Sequence, residues 1–383
     1  MIGASPHQYR SEGLARGRRE PVISAAISQA SKAEAMGVPA ILTLGHLAFR
    51  MEVNHRYLRS VVAKRTGEFY REFHVRKRSG GLRRIVVPAP KLMAVQRWIA
   101  REILRDRPVN DLCFAYVRRR SIVDCATRHV GAGWLLKLDI HDFFESIPER
   151  SVYRVFRSLG YQPLVSFELA RICTRPWISP PAEKERLRTV ANWLNRGIEL
   201  YRRQFTGYLP QGAPTSPMLS NLACRALDEE LSAFASREGL VFTRYSDDLT
   251  FSGAKGGFSR ERAQLLIADV RSILARHRFR MHEGKISIVP PGGRKVVLGL
   301  LVDRDRPRLS RELRSRLEDH VRGLELFGIA AHADNRGFVS RTGMINHVAG
   351  LIRFARDVEA DFADALRFRF EAALTKWNWT PQD

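Results

Sequence analysis

Three acidic residues carry the strongest chemical signal in this chain. Asp247 and Asp248 are adjacent in Tyr245-Ser246-Asp247-Asp248, and Asp139 ends the apolar run Trp134-Leu135-Leu136-Lys137-Leu138-Asp139. Neighbouring carboxylates repel and raise each other's pKa unless a positive charge lies between them. A hard divalent cation meets that need, since Mg²⁺ takes one or two carboxylates plus substrate phosphate oxygens. By itself an Asp-Asp pair reads more readily as a solvated turn. A carboxylate closing a buried strand is different, because a buried unpaired charge is costly and the strand has no structural use for it. A strand-end acid and an acid-tipped turn are the parts of a two-metal site. In such a site, ions roughly 3.5–4 Å apart clamp the attacking and leaving oxygens of an in-line displacement.

The elements that must position these acids follow from pattern. Val241-Phe242-Thr243-Arg244 and Leu249-Thr250-Phe251-Ser252 are rich in β-branched and aromatic residues, so Asp247 and Asp248 sit at the tip of a predicted hairpin. Leu209-Pro210-Gln211-Gly212-Ala213-Pro214-Thr215-Ser216-Pro217 is a loop entering a helix that runs through Asn221 and Ala226. Gly212 would admit a base or sugar close to the backbone, although the segment also reads as an ordinary helix-entry turn. Upstream, Phe73 to Pro88 alternates around Ser79-Gly80-Gly81, a strong hairpin signal. Its arms and approach carry Arg71, Arg76, Lys77, Arg78, Arg83 and Arg84, a basic ribbon able to fold over a triphosphate.

Elsewhere the apolar spacing predicts helices. Ile41 to Glu68 reads as two short helices and Lys91 to Leu104 as one amphipathic helix. After Asp303 the pattern stays helical, with Leu309, Leu313, Leu317, Val321 and Leu324 in phase. Trp377 and Trp379 read as packing anchors or as base-stacking platforms. The basic, Ala/Ser-rich first 38 residues are expected to be partly disordered. Residues 175–205 hold a charged helical stretch, either a segment contacting a partner or a solvated helix closing a loop.

Composition bounds the partners. The chain has 383 residues, 44% of them hydrophobic, a globular composition with room for two or three lobes. Its formal charge of +24 favours a polyanionic partner through counterion release and steering. Cys113, Cys125, Cys173 and Cys224 form no Cys-x-x-Cys pair, which argues against zinc and for reduced thiols of a cytoplasmic protein. With no apolar run of about 18 residues and no secretory leader, neither a membrane span nor export is expected. No internal repeat is visible.

Taken in order, these segments resemble a reverse transcriptase from roughly Leu42 to Leu366. Asp139 with Phe143-Phe144, Gln211-Gly212 with Ser216-Pro217, and Tyr245-Ser246-Asp247-Asp248 are similar to that superfamily's successive catalytic motifs. Gly284-Lys285 resembles the lysine motif that follows. The nearest resemblance is to the bacterial retron type. Cys125-Ala126-Thr127-Arg128-His129 stands where those enzymes carry Asn-Ala-x-x-His, with Cys125 replacing the Asn. Val297-Leu298-Gly299 stands where they carry Val-Thr-Gly, with Leu298 replacing the Thr.

The resemblance implies an α+β right-hand polymerase. Its parts would be a basic N-terminal extension (1–40), fingers and N-terminal helices (41–110), a palm of antiparallel sheet plus helices (111–303) and a helical thumb (304–383). It implies RNA-directed DNA synthesis with two Mg²⁺ ions, replaceable by Mn²⁺, held by Asp139, the Ile140 carbonyl, Asp247 and, less centrally, Asp248. A primer hydroxyl attacks the α-phosphorus of a dNTP and pyrophosphate leaves. Lys285 reads equally as proton donor to pyrophosphate and as a plain phosphate contact. Arg83, supported by Lys77 or Arg84, grips the triphosphate; Gln211 and Gly212 meet the nucleotide; and Phe144, five residues after Asp139, stands at the sugar gate. One ring of Phe143 and Phe144 packs the core.

The elements around Cys125, Ala126 and His129 and around Val297, Leu298 and Gly299 contact the family's own RNA, with a core role equally open to His129. The implied partners are a structured non-coding RNA serving as template and primer, an RNA–DNA hybrid and DNA product, dNTPs, and an effector protein of an anti-phage system. Two alternatives share the residues: another defence-associated reverse transcriptase with protein-primed or non-templated synthesis, and an RNA-binding scaffold with weak catalysis.

Overall fold

A computed structural model describes residues 6–63, 69–76, 80–176 and 207–379. Lys77 and nearly all of the 175–205 segment lie outside them. The described helices are α1 (Pro6–Ala15), α2 (Glu20–Ala35), α3 (Leu44–Arg50), α4 (His55–Ala63), α5 (Pro90–Ile99), α6 (Ile122–Thr127), α7 (Glu149–Ser158), α8 (Pro163–Cys173), α9 (Ser216–Ala223), α10 (Arg225–Arg237), α11 (Arg260–Arg276), α12 (Arg311–Asn335), α13 (Arg341–Val358) and α14 (Ala360–Lys376). The strands are β1 (Tyr70–Arg76), β2 (Leu82–Pro88), β3 (Trp134–Asp139), β4 (Arg175–Pro176), β5 (Gly207–Tyr208), β6 (Val241–Tyr245), β7 (Asp248–Gly253), β8 (Ser287–Val289), β9 (Val296–Val297), β10 (Leu300–Leu301) and β11 (Arg308–Leu309).

The chain divides into two compact units. The first comprises residues 1–118, 139–231 and 270–282. Here α2 begins with Pro21 in its first turn, where the missing N–H costs nothing, and buries Ile23, Ala30 and Ala33. Within the first 38 residues, which were expected to be partly disordered, α2 is a formed helix: small residues at helical spacing supply an apolar face. Its C-terminal carbonyls Met36 O and Gly37 O accept from Arg107. The two short helices expected between Ile41 and Glu68 are α3 and α4, with Thr43 accepting from the His46 N–H at 3.0 Å as the cap of α3. The amphipathic helix expected from Lys91 is α5, continued by a π-helical turn, Ala100–Leu104. β1 and β2 pair antiparallel from Tyr70↔Pro88 to Arg76↔Leu82.

The second unit comprises residues 119–138, 232–269 and 283–383. Its main sheet has the order β6-β7-β3-β8, and a small sheet has the order β11-β10-β9. The helices α12, α13 and α14 enclose a continuous core that includes Leu317, Val321, Leu324, Val348, Leu366 and Phe370, with Leu135, Val297 and Leu300 from the strands. Ser310 and Ser340 cap α12 and α13 by accepting from Leu313 and Gly343 N–H groups. Trp377 packs on Gly328, the positive-φ kink of α12, and donates its indole N–H to Leu324 O at 2.8 Å. Of the two roles open to that tryptophan, the structure assigns packing.

Candidate active site

β3 is buried at every position but the half-buried Lys137 because it is the inner neighbour of both β7 and β8, and Asp139 closes it at 5% exposure. The chain then makes an antiparallel bridge, Ile140↔Met281, whose two hydrogen bonds are His282 N–H to Asp139 O and His141 N–H to Arg280 O, both 2.8 Å. The Ile140 carbonyl stands outside those two bonds. In the second unit the β6–β7 register closes with Tyr245↔Asp248 around the two-residue turn Ser246-Asp247. Asp247 is half-buried and Asp248 exposed. Asp248 lines a cavity of about 90 Å³ together with Lys137, Thr250 and the Leu298-Gly299 turn. Among the described residues no three His, Cys, Asp or Glu side chains form a metal-binding cluster. Two carboxylates, a backbone carbonyl and substrate phosphate oxygens are nonetheless an all-oxygen donor set that fits Mg²⁺. Lys285 is exposed in the turn Glu283–Lys285.

The hairpin is braced from beneath. His129, 1% exposed, shares its Nε2 with Thr243 Oγ1 and its Nδ1 with Ser252 Oγ, both at 2.8 Å, and so ties β6 to β7. Burial, with a smaller contribution from Arg128, lowers its pKa to about 4. Cys125 reaches the same Thr243 at 3.4 Å, and Ala126 is wholly buried. Cys125 and Ala126 were expected at an RNA surface, as was Val297, which is also fully buried, whereas for His129 a core role was equally open. Their side chains pack the core instead, because a residue without exposed surface cannot meet a polyanion. Leu298 and Gly299 differ. They form the turn between β9 and β10, with φ of 49° and 87°, and Gly299 is exposed.

The nucleotide-facing candidates cluster in the first unit. Val86 N–H donates to Gln211 O at 2.7 Å, which seats β2 on the loop before α9. Gly212 has φ 119°, and a Cβ there would lie 3.0 Å from Val86 O and 3.1 Å from Ile85 Cγ2. Its close approach is thus to β2, where the sequence suggested a base or sugar. Arg83 is exposed. Arg84, likewise exposed, is engaged by Glu72, which Arg175 also holds, and so helps brace the hairpin. Phe143 is buried and stacks on Phe279 at 5.9 Å, whereas Phe144 is half-buried and faces Tyr116 at 6.3 Å. That division agrees with the expectation that one ring packs.

Tyr116 was not singled out from sequence as the ring partner of Phe144. It is 46% exposed at φ 63°, and the loop before it is fixed by Asn221 Nδ2 donating to Ala115 O at 2.7 Å. Nothing local marks that pairing, since it joins residues far apart in the chain. Glu145, beside this aromatic pair in sequence, has its pKa raised by burial.

Comparison with known proteins gives these parts a family. Residues 75–302 match the model described as reverse transcriptase (RNA-dependent DNA polymerase). The Mx162 retron reverse transcriptase of Myxococcus xanthus is 31% identical over 80% of this chain and 62% of its own length. The Mx65 retron reverse transcriptase of the same organism is 32% identical over 81% of this chain and 70% of its own. The Ec86 retron reverse transcriptase of Escherichia coli is 27% identical over 85% and 87%. The chain belongs to the reverse transcriptases, RNA-directed DNA polymerases, and within them to the retron type. Among the described residues no helix is long and apolar enough to cross a membrane.

Proposed function

We propose that this chain copies part of a dedicated structured RNA into a small single-stranded or branched DNA, in an anti-phage system that includes an effector protein. The observation that carries the catalytic part is the sheet order, which makes the strand ending in Asp139 the neighbour of the strand beginning at Asp248. Asp139, Asp247 and the Ile140 carbonyl would hold two Mg²⁺ ions, which supply charge neutralisation for phosphate and acidify the primer hydroxyl. The cavity shared by Asp248 and the Leu298-Gly299 turn supports a primer-side role for Asp248. The exposed positions of Arg83 and Lys285 support contacts to the triphosphate and to pyrophosphate, respectively. Four buried cysteines held as thiols rather than disulfides support a cytoplasmic setting.

The half-buried Phe144 beside Tyr116 supports a sugar gate, where a ring excludes a ribose 2′-hydroxyl. Phe144→Ala is expected to raise rNTP use relative to dNTP in kcat/KM competition, and Phe143→Ala to leave that ratio unchanged. The reverse result would move the gate to the buried ring.

The retron relatives support the RNA reading, and proteins generally recognise RNA by shape and unpaired bases. Nucleic acid copurifying with the protein, after RNase, is expected to be DNA carrying a short 5′ RNA remnant that a debranching enzyme releases. DNA with a free or protein-linked 5′ end would instead establish the other defence-type synthesis.

A further inference from the structure

The geometry points to Arg244 as the residue that aims Asp247, by holding the carbonyl of the peptide that joins Ser246 to it. The inference rests on the polymerase reading of the β6–β7 hairpin and goes beyond it, since Arg244 is neither a carboxylate nor a substrate contact. Arg244 lies on β6, paired with Leu249 across the hairpin, and has no exposed surface. A guanidinium cannot be neutralised at ordinary pH, so burying one is costly and is tolerated only where its donors are used. One use is explicit: Arg244 Nη1 donates to Ser246 O at 3.1 Å.

That carbonyl belongs to a strained turn. Ser246 sits at φ 61° and is 5% exposed. In a two-residue hairpin, positive φ at the first central position alone is the pattern that favours glycine there, and Asp247 is not among the positive-φ residues. A serine in that conformation is held by its surroundings rather than by its own preference. The Ser246 carbonyl oxygen fixes the plane of the peptide leading into Asp247, and that plane sets the direction in which the Asp247 side chain leaves the backbone. A buried, always-charged donor beneath it therefore fixes the aim of the carboxylate. His129 ties the same two strands further from the tip, so the two braces have separate tasks.

The test uses the full chain on a homopolymer RNA with a complementary DNA primer. Arg244→Met removes the guanidinium and keeps an apolar stem. The expected result is a kcat lowered about a hundredfold, the scale of an ångström's misplacement at a reacting centre. The KM for dNTP should hold within about twofold and the Mg²⁺ requirement should rise. Adding Ser246→Gly, which adopts positive φ without strain, is expected to restore about tenfold of the lost kcat, because a turn at ease needs less holding. If Arg244→Met does not fold, Arg244→Lys with and without Ser246→Gly is read in the same way. The inference is overturned if kcat and the Mg²⁺ requirement stay at wild-type values, or if the loss follows the melting temperature and Ser246→Gly restores nothing. Wild-type incorporation that Asp247→Asn abolishes is the control separating failure of this inference from failure of the polymerase reading.

Discussion

In the β6–β7 hairpin the middle residues of both strands are buried, and Phe242 stacks on Phe251 at 4.8 Å. In the β1–β2 hairpin six of the seven residues of β1 are exposed, and burial appears only where β2 reaches Val86 and Pro88. The first is one edge of a four-stranded sheet; the second pairs with no other strand among the described residues. A two-stranded ribbon is marginal by itself, so β1–β2 depends on its root: the Val86–Gln211 bond, the Glu72 ion pairs and the close seat on Gly212. The difference matches the tasks proposed for each. Carboxylates that share cations must be held to within about half an ångström, which needs a packed support. Basic side chains that close on a triphosphate and then release it need an element of low local stability.

The comparison can be broken at four points. At the tip of the buried hairpin, Asp247→Asn should reduce radiolabelled dNTP incorporation roughly a thousandfold or more, the loss of several kcal/mol of charge stabilisation. RNA binding should survive it, because no basic contact is removed. Incorporation at the wild-type rate by this variant would sink the catalytic assignment.

On the exposed hairpin, Arg83→Ala should raise the KM for dNTP about tenfold or more with little change in kcat, as expected for a lost charged hydrogen bond worth about 1.5–3 kcal/mol. Arg84→Ala should act chiefly on stability, since its partner is Glu72. Equal KM effects from the two would show that both arginines reach the substrate.

At the root of that hairpin, Gly212→Ala places a Cβ against Val86 O in a left-handed conformation. A cost of about 1–3 kcal/mol is expected from the backbone conformation, read as a lower melting temperature and a higher KM for dNTP. An unaltered KM would mean that the seat of β2 does not govern nucleotide capture.

The smallest effect concerns pH. His129 has a folded pKa of about 4, below its ordinary 6.5, because burial penalises the charged ring. Between those values the unfolded chain binds a proton that the folded chain does not. Stability from this residue is therefore full above about pH 6.5 and is lost as pH falls toward 4. Thermal melts across that window should show a decline that His129→Gln flattens. An identical slope in the variant would place the titration elsewhere, for instance on His320, whose pKa is also lowered to about 4, first by burial and then by His332.

Much of this was legible in the residues themselves. The acid-tipped hairpin, the strand ending in Asp139, the glycine-turned basic ribbon and the helices from Arg311 onward follow from local pattern, because alternation, helical phase and turn chemistry act over a few neighbours, whereas Leu309, in phase with those helices, lies in β11. The ordered motifs also named the family. What pattern could not decide was which side of an element faces inward. Cys125, Ala126, His129 and Val297 lie on segments that read as RNA-facing, yet the tertiary packing turns all four side chains into the core. Gly212 announced a close approach without saying that β2 was the neighbour. Arg84 looked like Arg83 until the fold gave it Glu72. Arg244 looked like one more basic residue in a chain of charge +24, and only the closed hairpin places its guanidinium on the Ser246 carbonyl. Sequence alone determined the elements and the chemistry they can carry. The tertiary structure decided which polar groups are spent on holding the fold and which stay exposed for substrate, because burial and long-range pairing are properties of the packed chain and of no single segment.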